Sequence, residues 1–244
     1  AVLEALPFED QFDFEQAQRG FIAAVPDGQV TNARGAELWD LQAYDFLNQG
    51  EAPDTVNPSL WRMAQLNMNN GLYKVCERVY QLRGIDLANM TIIEGDSGLI
   101  IVDPMTTAEV AGAGLDLYHA HRPEKPVVCV IYSHSHVDHY GGAMGVASAE
   151  DAASGKVSVI APDQFVEELS GENVIAGNAM MRRAQFQFGG LLRKGACGQV
   201  DAGLGKVTAR GRVTLISPTL VITEPTETHA VDGVEIVFQL APDS

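Results

Sequence analysis

The chain has 244 residues, 46% of them hydrophobic and 20% charged, so it is long enough for one large domain or two small ones with a sizeable core. Its formal net charge of -16 argues against nucleic acid and against an anionic membrane surface as partners. No stretch has the roughly 18 consecutive apolar residues of a membrane-spanning helix. The three cysteines, Cys76, Cys129 and Cys197, lack the spacing of a disulfide framework or a metal site.

Residues 1–70 predict an arm and helices packed on a larger domain. In the first part, phenylalanines stand among acidic residues and glutamines, which favours an arm on the domain surface. Apolar residues at helical spacing, capped by Asn32, predict an amphipathic helix over 32–49. Pro58 is well placed to begin a second helix, over 59–67.

The next part of the chain changes to the pattern of strands. Near-alternation of apolar and polar residues, rich in β-formers, predicts consecutive antiparallel strands with one face buried. These strands are expected at 72–82, 90–94 and 98–103. The last two are joined by a turn at 94–98 and predict a hairpin.

The second half alternates strands with helices, which predicts parallel crossover units. The expected order is helix 108–121, strand 127–132, helix 142–147, strand 157–160 and helix 162–169. Residues 171–212 differ, because a helix with a basic centre over 178–190 precedes a glycine-rich loop. This region predicts an insertion over the domain. The final strands are expected at 213–216, 220–222 and 234–240.

One short stretch, residues 133–142, holds three of the chain's six histidines and one aspartate, directly after an apolar strand. His134 and His136 can point to the same side of an extended segment, whereas Asp138 and His139 are adjacent and project differently. We therefore expect His134 and His136 to hold one metal ion and Asp138 with His139 to hold a second. Imidazole and carboxylate without thiolate indicate zinc in an open, catalytic site.

The position of this stretch agrees with a catalytic role. Ligand sites of open α/β arrangements lie beyond the carboxyl ends of the strands. Gly141 and Gly142 would let the backbone come close to whatever is bound, whereas edge packing is the expected role of Tyr140. Two metal ions can generate a nucleophile at neutral pH and neutralise an anionic transition state. The predicted reaction is hydrolysis of an ester or an amide.

The pattern His-x-His-x-Asp-His, after a strand and before Gly-Gly, resembles the metallo-β-lactamase superfamily. The resemblance implies an α+β fold, a four-layer αβ/βα sandwich with a binuclear metal site between two sheets. Longer segments are similar to the alkylsulfatases of this superfamily, namely 60–75, 80–91, 133–142 and 172–183. This similarity implies zinc-dependent hydrolysis of alkyl sulfate esters, such as dodecyl sulfate, to alcohol and sulfate by a metal-activated water, with Asp138 among the catalytic residues.

The resemblance also implies that the fold is incomplete in these residues. Alkylsulfatases continue beyond a segment like 239–244 into a glutamate-rich stretch with further metal ligands, then into dimerisation and sterol-carrier-like domains. Residues 71–244 are thus expected to be the N-terminal portion of a catalytic domain. Two zinc ions per complete site, a complementary C-terminal polypeptide and a homodimer of the complete protein are implied, and these residues alone are expected to be inactive. A periplasmic or secreted location is expected, although the chain starts without a signal-peptide pattern.

Three further residues are candidates for the site. Asn178 and Arg183 are proposed to bind substrate, with a solvated helix face as the alternative for the arginine. Asp103, at the end of a strand, would orient a metal-bound histidine or serve only as a turn residue before proline. Two other functions stay open, namely a hydrolase of the same fold for a lactone, thioester or phosphodiester, and a non-catalytic half with a structural metal loop.

Overall fold

An eight-stranded mixed sheet forms the centre of the computed structural model, which describes residues 2–48 and 50–241. Residues 242–244, the end of the segment 239–244, lie outside the described residues. In chain order the strands are β1 Phe21–Ala23, β2 Gln29–Thr31, β3 Glu37–Asp40, β4 Gly71–Cys76, β5 Val79–Arg83, β6 Met90–Glu94, β7 Leu99–Val102, β8 Val127–Ile131, β9 Ser158–Pro162, β10 Leu220–Ile222, β11 Thr226–Val231 and β12 Val234–Gln239.

Most of the helices are short, and the two longest described have 14 and 12 residues. In chain order they are α1 Val2–Ala5, α2 Phe12–Gln18, α3 Pro58–Leu66, α4 Ala108–His121, α5 Val137–Tyr140, α6 Ala143–Val146, α7 Ala149–Ala153, α8 Phe165–Ser170 and α9 Gly177–Phe188. Two 3₁₀ helices, Pro26–Gly28 and Gln42–Asn48, and a π-helical turn, Gly171–Ile175, complete the set. None of the helices in the described part of the chain combines the length and hydropathy that a membrane-spanning segment needs.

The sheet runs in the order β1-β4-β5-β6-β7-β8-β9-β10 and changes character at β7. Strands before β7 pair antiparallel, whereas β7 with β8, β8 with β9 and β9 with β10 pair parallel. Strands β7, β8 and β9 are largely buried on both faces, which explains their apolar sequences, whereas Val221 of the edge strand β10 is exposed. The predicted hairpin at 90–103, the parallel crossover units and helices α3 and α4 are confirmed.

The two faces of the sheet are covered differently. Alternate side chains of β7 divide between them, with Leu99 and Ile101 on the side of helix α4 and Ile100 on the other side. On that second side, Ile100, Cys129 and Ile160 pack against the β11–β12 hairpin. The carboxyl ends of β8, β9 and β10 remain beside the hairpin, where the histidine stretch begins.

Several predicted elements are wrong. Over the described residues 32–48 the predicted helix is absent, and residue 49 lies outside the described residues. The Asn32 side chain accepts hydrogen bonds from the Arg34 and Ala36 amides, and the turn that they form pairs β2 with β3 instead. Residues 72–82 form two strands, because the chain reverses at Arg78, whose φ is 66°.

The strand predicted at 213–216 is also wrong. Its backbone forms hydrogen bonds outside any strand ladder. The Thr214 amide donates to the Gly141 carbonyl, and the Ile216 carbonyl accepts from the Tyr132 hydroxyl. Tyr140 and Cys129 are both buried.

Candidate metal centre

The histidine stretch begins at the carboxyl end of β8 and turns into α5. His136 is still extended, with φ −68° and ψ 140°, and helix α5 starts at the next residue. Gly141 and Gly142 follow, and a Cβ at either position would overlap backbone carbonyl oxygens of the loop 104–107. The two glycines therefore bring the stretch against the chain's own backbone, which corrects the expectation that they approach a bound ligand.

The structure brings the four predicted ligands together. The ring centroid of His134 lies 4.7 Å from that of His136 and 4.1 Å from that of His139. The Nε2 atom of His139 lies 3.3 Å from Asp138 Oδ2. Three imidazoles and a carboxylate thus share one small volume at the end of β8.

Asp103 holds this cluster from the neighbouring strand end, after β7. Its Oδ1 accepts from the Ser133 amide at 2.8 Å, and its Oδ2 accepts from Ser133 Oγ at 2.7 Å and contacts His139 Nδ1 at 2.9 Å. Asp103 and Met105 both adopt left-handed φ values, 55° and 60°. The next residue's amide, Thr106 N, donates to buried Asp86 at 2.7 Å, which anchors this strained loop.

These contacts determine where the protons of two histidines sit. The Ser133 hydroxyl has one proton and donates it to Asp103, so its 2.9 Å contact with His134 must be one in which His134 Nδ1–H donates. His139 Nδ1 donates to Asp103 in the same way. In both rings Nε2 is therefore the atom left to bind a metal, a tautomer set by the carboxylate of Asp103.

The charges of the cluster are distributed unevenly. Burial lowers the pKa of His134, and the neighbouring charges of His139 and His136 lower it further. Burial also lowers the pKa of His139, but hydrogen bonds and charges from Asp103 and Asp138 outweigh it and raise the pKa to about 9. Burial raises the pKa of Asp138, yet the bond to His139 brings it below its ordinary value. The cluster thus offers a neutral imidazole and an ionised carboxylate.

Two site residues were missed by reasoning from the sequence. Glu172 Oε1, in the π-helical turn before α9, lies 3.6 Å from His136 Nε2. It is 36 residues away along the chain, so spacing gave no signal. Ser133 stands directly before His134, and its role depends on the position of Asp103 across the sheet.

A groove of about 900 Å³ opens beside the cluster. His134 and His136 line one side, together with Ser133 and Ser135. Its other walls come from the ends of β9 and β10, helix α8 and strand β12, and they include Pro162, Phe165, Ile222, Phe238 and Leu240. A polar cluster with an apolar wall is suited to an amphiphilic ligand.

Asn178 and Arg183 are not brought to this groove. Both are exposed on α9, and neither is among the described residues that line it. Their role in substrate binding stays a prediction.

The donor set of the cluster fits zinc, with imidazole nitrogens and carboxylate oxygens at the mouth of a groove. In the structure, however, the ligands contact one another, because Asp138 forms an ion pair with Nε2 of His139, the atom expected to bind metal. Accordingly, residues 2–48 and 50–241 contain no group of three or more His, Cys, Asp or Glu side chains already arranged to hold a metal ion. Rotation of Asp138 away from His139 would free both donors.

Comparison with known proteins shows the family of this chain. Residues 83–241 match the metallo-β-lactamase superfamily, and the chain belongs to that superfamily. An (R)-specific secondary-alkylsulfatase of a Pseudomonas species is 55% identical over 98% of this chain and 36% of its own length. An alkyl/aryl-sulfatase of Saccharomyces cerevisiae is 51% identical over 100% of this chain and 38% of its own length.

A solved structure is also similar to this chain. The stereoselective inverting sec-alkylsulfatase Pisa1 from a Pseudomonas species superposes with a TM-score of 0.94 at 55% identity, covering 98% of this chain and 38% of that one. The chain therefore spans little more than a third of the length of these relatives. The recognised resemblance and the predicted fold class, incomplete in these residues, are confirmed.

Proposed function

We propose that these residues form part of the active site of a zinc-dependent alkylsulfatase, which hydrolyses alkyl sulfate esters such as dodecyl sulfate to alcohol and inorganic sulfate. The observation that carries the proposal is the convergence of His134, His136, Asp138 and His139 beside a groove with an apolar wall. The relatives described above are named as secondary alkylsulfatases or as an alkyl/aryl-sulfatase, and these names support the same substrate class.

The roles of the chain's own residues follow from the contacts. His134, His136, Asp138 and His139 would hold two zinc ions, which supply water activation at neutral pH and positive charge for the sulfate group. Asp103 retains the proton on Nδ1 of His139 and, through Ser133, fixes the tautomer of His134.

The apolar wall of the groove has a separate role. Phe165, Ile222 and Phe238 would receive the alkyl chain and exclude water from the reacting ester. The sulfate group would then lie toward the histidines and the alkyl chain away from them.

The four predicted ligands are too few for two metal ions, so the proposal includes a complementary C-terminal polypeptide that completes the site. In it, residues 71–244 supply the first portion of the catalytic domain, residues 1–70 pack on it, and residues 171–212 are an insertion. A homodimer of the complete protein and a periplasmic or secreted location belong to the same proposal.

The test is sulfate release from dodecyl sulfate by the zinc-loaded protein as its gene encodes it. His139→Ala should abolish release and reduce bound zinc, whereas His121→Ala, at an exposed histidine of α4, should alter neither. Absence of sulfate release together with turnover of a lactone would establish another hydrolase of this fold. Near-zero zinc in the purified protein would favour a non-catalytic role.

A second measurement tests the need for a further segment. Residues 1–244 alone, with zinc, are expected to release no sulfate. Turnover by these residues alone would refute that part of the proposal and leave the substrate class standing.

A further inference from the structure

The region 177–212 has a charge opposite to that of the rest of the chain. It holds seven of the 16 basic residues but only one of the 32 acidic residues. Within the described ranges, Arg182, Arg183 and Arg193 are exposed and form no ion pair. A protein with a net charge of -16 thus carries a locally positive surface.

The same surface exposes large apolar side chains. Phe186 is 93% exposed and Leu191 is 79% exposed, and Met181 and Leu192 are also exposed. Arg182 and Arg183 stand four and three residues before Phe186, so all three lie on one side of α9. Exposed aromatic and aliphatic side chains flanked by arginines are typical of helices that lie on anionic amphiphile surfaces.

The surface begins next to the candidate metal centre. Val174 and Ile175, which are 75% and 86% exposed, belong to the π-helical turn that also contains Glu172. Glu172 contacts His136 at 3.6 Å. We define the basic-apolar face as these exposed residues together: Val174, Ile175, Met181, Arg182, Arg183, Phe186, Leu191, Leu192 and Arg193.

We infer that the basic-apolar face docks on aggregates of anionic surfactant, that is, on alkyl sulfate micelles. The inference rests on the proposed function, because alkyl sulfates combine an anionic headgroup with an apolar chain and aggregate in water. Arginines would contact the sulfate layer while Phe186 and Leu191 enter the apolar interior. Docking would place the groove beside a concentrated source of substrate.

Charge complementarity selects this partner. The remainder of the chain is strongly acidic and is repelled by an anionic aggregate, so contact is directed to the basic-apolar face. An uncharged apolar partner would leave the arginines without a role. An acidic partner that lacks an apolar part would leave Phe186 and Leu191 in water.

The probe is a mixed micelle of nonionic detergent and dodecanesulfonate, whose carbon–sulfur bond is not an ester and cannot be hydrolysed by this reaction. Binding of the zinc-loaded protein as encoded by its gene is measured by co-elution. The variant Phe186→Gln/Leu191→Gln/Arg193→Gln should bind at least about tenfold more weakly, because it loses two apolar insertions and one charge. The matched control, Leu3→Gln/Phe12→Gln/Arg34→Gln, changes exposed residues of the N-terminal part and should bind like wild type.

Four outcomes overturn the inference. These are equal binding by the two triple variants, equal binding of wild type to micelles without sulfonate, tighter binding to anionic phospholipid vesicles than to the micelles, and a change of oligomeric state in the face variant. The last outcome, read by sedimentation velocity, assigns the face to a second copy.

The failure of the inference is distinguishable from that of the proposed function. His139→Ala should lose sulfate release and keep micelle binding. Micelle binding without sulfate release in wild type refutes the alkylsulfatase proposal alone. Sulfate release with unchanged micelle binding in the face variant refutes the docking inference alone.

Discussion

Lys206 and Asp201 form an ion pair that water does not reach. Lys206 Nζ lies 3.0 Å from Asp201 Oδ2, and the two side chains are 1% and 0% exposed. The ammonium also donates to the Ala64 carbonyl at 2.6 Å, joining the loop after α9 to helix α3. Lys206→Met keeps the apolar stem and leaves the carboxylate buried without its counter-ion. We expect a loss of about 3–5 kcal/mol in the free energy of unfolding, the range for breaking a buried pair.

The control for this prediction is an exposed pair of nearly equal length. Lys156 Nζ lies 3.1 Å from Asp151, but its side chain is 74% exposed. Lys156→Met should hardly change stability, because exposed pairs are screened by water. Urea unfolding with an unchanged m-value measures both variants. Adding Asp201→Leu to Lys206→Met should restore part of the loss, since no buried charge remains. Equal losses at the two lysines, or no recovery in the double variant, would refute this reasoning.

Three further predictions concern the loop that supports the cluster. Asp103→Asn should weaken zinc binding by about 10–100-fold, measured by chelator competition, because it disturbs the tautomer of His139. Burial raises the pKa of Asp86 to about 6, so the unfolded chain loses this proton first as pH rises. Stability should therefore fall by up to about 3 kcal/mol between about pH 4 and pH 6, and Asp86→Asn should remove this fall in urea unfolding. Gly142→Ala should cost about 1–3 kcal/mol in thermal or urea unfolding, because its Cβ would overlap the Pro104 carbonyl.

Matched variants control the first and the last of these predictions. Asp116→Asn changes an exposed aspartate of α4, which does not line the groove, and should leave zinc affinity unchanged. Gly171→Ala adds a Cβ into open space and should be tolerated. Loss of zinc affinity in the Asp116 variant, a persistent pH-dependent fall in stability in the Asp86 variant, or equal effects at the two glycines would each contradict the corresponding mechanism.

The sequence predicted the cluster well, because its chemistry is local. Ligand types and their position after a buried strand can be read within the stretch 133–142, and Asp103 was a candidate because it stands at the end of a predicted strand. The hydrogen bonds that link Asp103 to His134 through Ser133 could not be predicted from the sequence, because they depend on the parallel pairing of β7 with β8. The contact of Glu172 with His136 could not be predicted either, because it depends on how β9 and α8, which lie between them in the chain, are placed.

The errors in the fold have a common physical origin. The apolar spacing in 32–49 also fits a strand followed by a 3₁₀ helix, and the side-chain hydrogen bonds of Asn32 decide between them. Residues 213–216 have the composition of a strand, but the Thr214 amide bonds the Gly141 carbonyl instead. In both segments, hydrogen bonds that residue types alone do not reveal outweigh local preference.

Electrostatics divides the site into two parts with opposite tasks. Asp103, Asp138 and Glu172 surround the imidazoles with carboxylates, so the cluster attracts cations and repels an anionic ester. The net charge of -16 adds to that repulsion. Two zinc ions would make the electrostatic potential at the reacting centre positive, because a bound ion is the largest local charge there. In the inferred docking, the arginines of the basic-apolar face would make the electrostatic potential positive at the surface that substrate reaches first. An acidic protein can therefore act on an anionic amphiphile if positive charge is concentrated at these two places.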